Sequence, residues 1–186
     1  MKYLIVGLGN IGPEYELTRH NIGFLTLDRL ADKEGVTWKS ERLAFKSEIK
    51  HKGRSLHLIK PTTYMNLSGK AVNYWMKELA IPKENILVLV DDMAIPFAKL
   101  RMRAKGSAAG HNGLKNIEEL CGGQDYPRLR MGIGDNFPKG RQVEYVLGRF
   151  TQQEFDELPA MMDKAIDMVY GFCTAGIAQT MTQYND

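Results

Sequence analysis

The alternation of apolar and polar runs in the first half of the chain predicts strands separated by helices. A short apolar run, KYLIV over 2–6, is typical of a buried strand. Apolar residues at helical spacing then predict a helix from about Asn21 to Glu34. LAFKSEIKHKGRSLHLIKP favours two strands joined at Lys52-Gly53, and SGKAVNYWMKELA a helix with Ser68 as its N-cap.

The second half continues the same alternation. NILVLVDD is a continuous apolar run ending in two acids, as in a central strand that brings carboxylates to the carboxyl edge of a sheet. GSAAGHNGLKNIEEL predicts a loop leading into a helix. The stretch from Thr151 onward predicts an amphipathic helix capped by Thr151, with Gly171 and Gly176 as expected stops. We therefore expect an α/β fold: a single domain over 1–186, with a twisted mixed sheet flanked by helices and a cleft at its carboxyl edge.

The glycine pattern VGLGNIG after the first strand spells G-x-G-x-x-G, the loop of many dinucleotide sites. Such a site also needs a helix opening inside the motif and an acidic residue about 20 positions further on. Here Pro13 follows the last glycine, and no helical stripe begins before Ile22. The pattern therefore indicates steric need in a tight turn more than nucleotide binding.

Composition and charge narrow the class of protein. With 44% hydrophobic and 25% charged residues, the chain is expected to be a soluble globular domain. It has no apolar run long enough for a membrane span and no signal-peptide pattern, so we expect no membrane association and a cytoplasmic location. Cys121 and Cys173 are too few and too far apart for a disulfide framework or a zinc site.

The 25 basic residues are unevenly spread along the chain. Residues 99–150 carry ten Lys and Arg against five Asp and Glu, whereas 151–186 carry one against six. Within the basic segment, KLRMR should project Lys99, Arg101 and Arg103 from one face, and RLRMGIG should do the same with Arg128 and Arg130. A polyanionic partner, nucleic acid first, is one interpretation; a solvated basic face is the other.

Four histidines are the candidates for acid–base chemistry. His51 and His57 fall in the predicted hairpin, where a surface or edge role is expected. His20 and His111 each precede an asparagine in a polar loop that leads into a helix. Local capping of those helices is the simplest role for such loops.

Several polar residues should nevertheless meet His20 at one edge of the sheet. Asn10, Asn66, Asp91 and Asn112 all fall at strand ends or in loops before helices. Together they offer a base near neutrality, an acid to orient it, and neutral amides to hold a carbonyl or an oxyanion. The chain has no G-x-S-x-G nucleophile and no H-E-x-x-H metal motif. The set predicts a hydrolysis in which a histidine takes a proton from water.

Six blocks carry a specific resemblance over roughly 3–155: VGLGNIG, YELTRHNIGF, KPTTYMNLSGKAV, LVDDMAIP, GSAAGHNGLKNI and YPRLRMGIG…YVLGRF. In this order they resemble the bacterial peptidyl-tRNA hydrolase family, which cleaves the ester between a peptide and the terminal ribose of tRNA. The resemblance implies tRNA as partner and no metal or organic cofactor. A monomer is the expected state of the chain.

The resemblance also implies roles for individual residues. His20 would activate water and Asp91 would keep its imidazole basic. Asn10 would contact the peptide and sense the blocked amine, and Asn66 and Asn112 would position the carbonyl and the water. The remaining implied contacts are Tyr15 and Tyr64 at the tRNA end of the site, and Arg103, Lys105 and Arg130 on phosphates.

Four positions depart from the family pattern. This chain has Ile11 where the family usually has proline, Val90 where it has an aromatic residue, Ala94 where it has a second acid, and Ala109 where it has glycine. None is the expected base or its partner. Two other functions stay open at this point: a non-catalytic RNA-binding relative of the same fold, and a dinucleotide-dependent oxidoreductase. Retention of His20, Asp91 and all three asparagines favours the enzyme over the RNA-binding relative.

Overall fold

The apolar runs of the sequence form the inner strands of one seven-stranded sheet in the computed structural model, which describes residues 1–186. The sheet order is β2-β3-β4-β1-β5-β7-β6. The strands are β1 (Lys2–Gly7), β2 (Lys39–Glu41), β3 (Ala44–His51), β4 (Arg54–Pro61), β5 (Ile86–Asp92), β6 (Leu100–Arg103) and β7 (Arg128–Gly132). The sheet is mixed: β4, β1, β5 and β7 are parallel, while β3 and β6 are antiparallel to their inner neighbours.

Helices cover both faces of the sheet, which confirms the expected α/β class. They are α1 (Ile22–Glu34), α2 (Ser68–Glu78), α3 (Asn112–Cys121), α4 (Gln142–Val146), α5 (Gln152–Thr174) and α6 (Ile177–Tyr184). One apolar core lies between the sheet and α1 and α5, and a second lies on the opposite face, beneath α2 and α3. None of these helices combines the length and apolar character that crossing a bilayer requires.

The glycines after β1 serve helix packing. A Cβ on Gly7 would lie 2.4 Å from the carbonyl oxygen of Gly23, and one on Gly9 would lie 2.7 Å from the Phe24 ring. Only Gly12 of the motif has a positive φ, at 117°. The predicted steric need for glycine is therefore confirmed, but its cause differs from a tight turn. Gly7 and Gly9 are required because α1 approaches the end of β1 closely.

Some predicted details at helix ends are confirmed and others are wrong. Thr151 caps α5 in a capping box with Glu154, as expected. Ser68 is not an N-cap: its hydroxyl donates to the Met65 carbonyl at 2.7 Å, because a 3₁₀ turn runs directly into α2. Gly171 lies inside α5, where a Cβ would come within 2.9 Å of Thr180 on α6, whereas Gly176 does separate the two helices.

The outer strand β6 has its free edge covered by the last residues of the chain. The carboxamide of Asn185 accepts from the Met102 amide at 2.7 Å and donates to its carbonyl at 3.0 Å. The Leu100 amide donates to the Asp186 carboxylate at 2.9 Å. These side chains take the place of a neighbouring strand, so the edge does not present a row of unpaired backbone groups.

His57 is buried, which contradicts the expected surface or edge role. It lies in β4, an inner strand, between Leu4 of β1 and Glu48 of β3. Burial, together with the Lys46 ammonium 3.0 Å from its Nδ1, lowers the pKa of His57 to about 4. His57 is thus a neutral core residue at physiological pH, remote from the carboxyl edge.

Candidate active site

The carboxyl ends of β1 and β5 and the start of α3 meet at one edge of the sheet, where parallel strands deliver their polar ends. Asp91 is at the end of β5, His111 immediately precedes α3, and His20 lies in a 3₁₀ turn that leads into α1. These three side chains line one cleft, together with Asn112 and Arg130. The predicted base and its predicted acidic partner are therefore adjacent in space.

The Asp91 carboxylate lies between two imidazoles. Its Oδ2 is 2.8 Å from His20 Nδ1, and its Oδ1 is 2.9 Å from His111 Nε2. Asp91 is buried, and the rings of the two histidines lie 5.0 Å apart between centroids. Each oxygen of the carboxylate thus has one imidazole partner.

The helix α3 fixes the tautomer of His111. Its Nδ1 accepts hydrogen bonds from the backbone amides of Gly113 and Leu114, at 3.1 and 3.4 Å, so this nitrogen carries no proton. The proton of neutral His111 is then on Nε2, which donates to Asp91. His111 caps the helix and binds the carboxylate at the same time.

The same logic fixes His20. An ionised Asp91 can only accept hydrogen bonds, so the proton of neutral His20 is on Nδ1 and points to the carboxylate. The Nε2 lone pair of His20 is then free to accept a proton from a molecule in the cleft. This is the arrangement in which a carboxylate holds a histidine in the tautomer that a general base needs.

Electrostatics reinforce this arrangement. Burial by itself disfavours a charged imidazole, but the negative charge of Asp91 and its hydrogen bond outweigh burial and raise the pKa of His20 above its ordinary value of 6.5. Burial acts to raise the pKa of Asp91, whereas the two imidazoles hold it well below its usual range. Asp91 is ionised at neutral pH, and His20 is a stronger base than a free histidine.

The same three groups are the chain's one candidate set of metal ligands. Their ligand atoms all lie within 4.8 Å of one another. Both imidazole nitrogens that face Asp91 stand at hydrogen-bonding distance from it, so a cation there would have to displace two protons. The geometry fits a hydrogen-bonded triad as it stands.

Asn10 holds two loops together and leaves one polar group free. Its Oδ1 accepts from the Met65 amide at 2.7 Å, and its backbone forms a pair of 2.8 Å bonds with the carboxamide of Asn21. Because the oxygen is engaged, the orientation of the amide is set, and Nδ2 has no partner in the chain. Asn10 therefore presents a hydrogen-bond donor.

A largely buried ion pair fixes the turn that carries His20. Arg19 Nη2 lies 2.9 Å from the Glu154 carboxylate, and Nη1 donates to the Tyr145 carbonyl at 3.0 Å. The guanidinium also stacks on the Tyr145 ring at 4.1 Å. Since α4 lines the cleft and Glu154 lies in the first turn of α5, the Arg19 side chain joins the turn of His20 to two helices.

The structure brings only part of the predicted set into the cleft. His20, Asp91, Asn112 and Arg130 line it. Asn10 lines an adjacent groove. The other predicted residues lie outside both depressions: Tyr15, Tyr64, Asn66, Arg103 and Lys105. Tyr64 and Asn66 flank Met65, so the bond from Asn10 ties their loop to the end of β1. Tyr64 is half exposed and has a positive φ of 63°, which is unusual for a tyrosine.

The arginines of β6 and β7 share one face as predicted, but Lys99 precedes β6 and Arg128 is not exposed. Arg101 faces Arg130, and Arg103 faces Arg128, across the β6–β7 ladder, so all four lie on one side of the sheet. Arg128 is wrong as an exposed cation: it is fully buried, stacks on Tyr126 at 4.0 Å and donates to the Gln124 carbonyl. Arg130 reaches the cleft, where it donates to the Ser107 carbonyl and lies 3.5 Å from Asp92.

Sequence reasoning left His111 out of the site and gave Arg19 no role. The GHNG loop was a visible signal for His111, but nothing in the sequence showed that one imidazole would both cap α3 and reach Asp91.

Three of the four departures from the family pattern have a clear structural setting. Ala109 adopts φ 50°, a left-handed conformation that a glycine takes without strain. Val90 is part of the buried core, and the Ala94 amide donates to the Asp92 side chain.

Comparisons with known proteins agree on one family. Residues 4–186 match the family described as peptidyl-tRNA hydrolase. The chain is 57% identical to a peptidyl-tRNA hydrolase of Cytophaga hutchinsonii, over 100% of this chain and 98% of that protein. It is 56% identical to that of Porphyromonas gingivalis over the full length of both. The crystal structure of peptidyl-tRNA hydrolase from Acinetobacter baumannii superposes with a TM-score of 0.92 at 35% identity, covering 98% of this chain and 95% of that one.

Replacing Asp91 by asparagine should lower the pKa of His20. Without the carboxylate, burial is the dominant influence, so the pKa should fall from above 6.5 to below it. NMR titration of the histidine ring nitrogens measures the pKa and the tautomer together. His51, which does not contact Asp91, is the internal control and should titrate alike in both proteins. A His20 pKa that is the same in the variant would contradict this account of the site.

Proposed function

The chain belongs to the peptidyl-tRNA hydrolase family and hydrolyses the ester that joins a peptide to tRNA; on that premise we propose that His20 is the general base of the reaction. The observation that carries the proposal is the 2.8 Å contact between His20 Nδ1 and Asp91, which leaves Nε2 free on the cleft side. A base with a pKa close to the working pH is the most effective proton acceptor.

The reaction then needs no covalent intermediate. A water molecule hydrogen-bonded to His20 Nε2 attacks the ester carbonyl while Nε2 takes its proton. Asp91 stabilises the imidazolium that forms, and His111 holds the other oxygen of Asp91 in place. The tetrahedral oxyanion collapses, the bond to the ribose oxygen breaks, and His20 returns the proton to that oxygen. The products are a peptide acid and free tRNA.

Neutral amides position the reacting groups in this proposal. The side chain of Asn112 is exposed at the start of α3, lines the cleft beside His111 and has no hydrogen-bond partner in the chain. We assign Asn112 to the attacking water or the oxyanion, because a neutral amide can hold either. Asn66 is also exposed and unpaired, on the loop that Asn10 anchors. We assign it to the substrate carbonyl.

The tRNA is assigned to the basic strands. Arg103 and Lys105 are exposed on the α3 side of β6 or just beyond it, and Arg130 leads from that surface into the cleft. Positive charge on this side neutralises phosphates. We assign Tyr15 and Tyr64 to the tRNA end of the substrate, because the half-exposed Tyr64 ring is open to stack on a base. We also propose that the protein acts in the cytoplasm as a monomer, on peptidyl-tRNA that arises in translation.

Replacing His20 by alanine should cost at least about a hundredfold in the rate of peptidyl-tRNA hydrolysis, the usual scale for a positioned general base. The fold should be retained, since the one side-chain hydrogen bond of His20 is to Asp91. Single-turnover hydrolysis of N-acetyl-aminoacyl-tRNA measures the effect. His51→Ala is the control, because His51 lies on the surface hairpin. Parental rates for His20→Ala would refute the assignment.

Replacing Asn10 by aspartate should weaken discrimination against free aminoacyl-tRNA. Aspartate keeps an acceptor for the Met65 amide but loses the Nδ2 donor, which we assign to the carbonyl of the blocked amine. The lost bond should reduce the ratio of the rates on N-acetylated and free aminoacyl-tRNA about ten- to hundredfold. Asn73→Ala on α2 is the matched control. Equal losses on both substrates would mean that Asn10 serves only the loop.

A further inference from the structure

A groove on the opposite side of Asn10 from the catalytic cleft has no role so far. It runs between α1 and the β3–β4 pair, starting at the Asn10 loop. Its apolar walls come from Ile11, Pro13, Leu17, Phe24, Leu25 and Phe45. The groove begins beside the active-site region, because Asn21, which lines the groove, directly follows His20, which lines the cleft.

The charge of the groove is unlike that of the basic strands. Its one cation, Lys60, lies 2.5 Å from the Asp28 carboxylate and 4.4 Å above the Trp38 ring, so its charge is already compensated. Glu16 adds an exposed carboxylate at the rim. Acidic groups therefore outnumber basic ones, and the groove does not favour a phosphate chain.

The sheet order places this groove and the cations on opposite sides of the catalytic residues. Along the sheet, β3 and β4 carry the groove, β1 leads to Asn10, β5 ends in Asp91, and β7 and β6 carry the arginines. The two surfaces also lie on opposite faces, since α1 packs on one face and the arginines project from the other. In the substrate, likewise, the ester separates tRNA from peptide.

We propose that this groove is a binding subsite for the nascent peptide, taking the residues that precede the esterified amino acid. The inference rests on the proposed function of the cleft, in which Asn10 binds the first peptide carbonyl. Beyond that carbonyl the peptide continues past Asn10, with its apolar side chains against Leu25 and Phe45. The groove should accept peptides of varied sequence, because its apolar walls make few hydrogen bonds that would select particular side chains.

The test compares two substrates that differ only in peptide length: N-acetyl-leucyl-tRNA and a hexapeptidyl-tRNA ending in leucine. The proposal predicts that Phe45→Ala lowers the ratio of kcat/KM for the long substrate over the short one by about tenfold, because one aromatic contact is lost. Leu25→Ser, on the facing wall, should act in the same direction. Thermal melting establishes that each variant is folded before the ratio is read.

Phe155→Ala is the matched control, since Phe155 is an exposed phenylalanine on α5 outside the cleft and the groove. Its ratio should equal that of the parent. An unchanged ratio in Phe45→Ala and Leu25→Ser would overturn the subsite. Equal losses on both substrates would also overturn it, by assigning the groove to the terminal nucleotide. Failure of the catalytic assignment is distinct, because it would appear as full activity of His20→Ala on both substrates.

Discussion

The proposed chemistry of this protein depends on one buried carboxylate, Asp91, that accepts hydrogen bonds from two histidines. Asp91 cannot donate, so it forces a proton onto the facing nitrogen of each imidazole. For His111 that requirement agrees with the amides of α3, which need an acceptor on the other nitrogen. For His20 it leaves a lone pair toward the cleft. The protonated nitrogen of His20 is thus specified by three elements: the start of α3, the end of β5 and the 3₁₀ turn before α1.

The rest of the fold keeps these three groups in register. Gly7 and Gly9 allow α1 to approach the end of β1, which brings the turn before α1 to the carboxyl edge. Arg19 then ties that turn to α5 through a largely buried ion pair with Glu154, and to α4 through a hydrogen bond to the Tyr145 carbonyl. By contrast, the Arg29–Asp163 pair between α1 and α5 is more than one-third exposed on both sides, and such surface pairs contribute little. The Arg19 pair therefore contributes more to holding the turn of His20, where a small displacement would misplace the proposed base.

Much of this architecture could be predicted from the sequence, because the period of the apolar residues directly encodes strands and helices. The strand ending in Asp91 and the helix after Asn21 follow from pattern alone. The burial of Arg128 and His57 does not, since alternation assigns a residue to a face without telling what covers that face. The link between His111 and Asp91 depends on the approach of α3 to β5, a contact between segments about 20 residues apart that no local pattern records.

The central claim is that His20, with its pKa raised by Asp91, is the proton acceptor in the chemical step. The most direct measurement is the pH dependence of kcat/KM for N-acetyl-aminoacyl-tRNA under single-turnover conditions. The account predicts that the rate falls as the pH decreases through an apparent pKa above 6.5, equal to the His20 pKa measured by NMR in the free enzyme. A rate that stays constant as the pH falls through that value would contradict it.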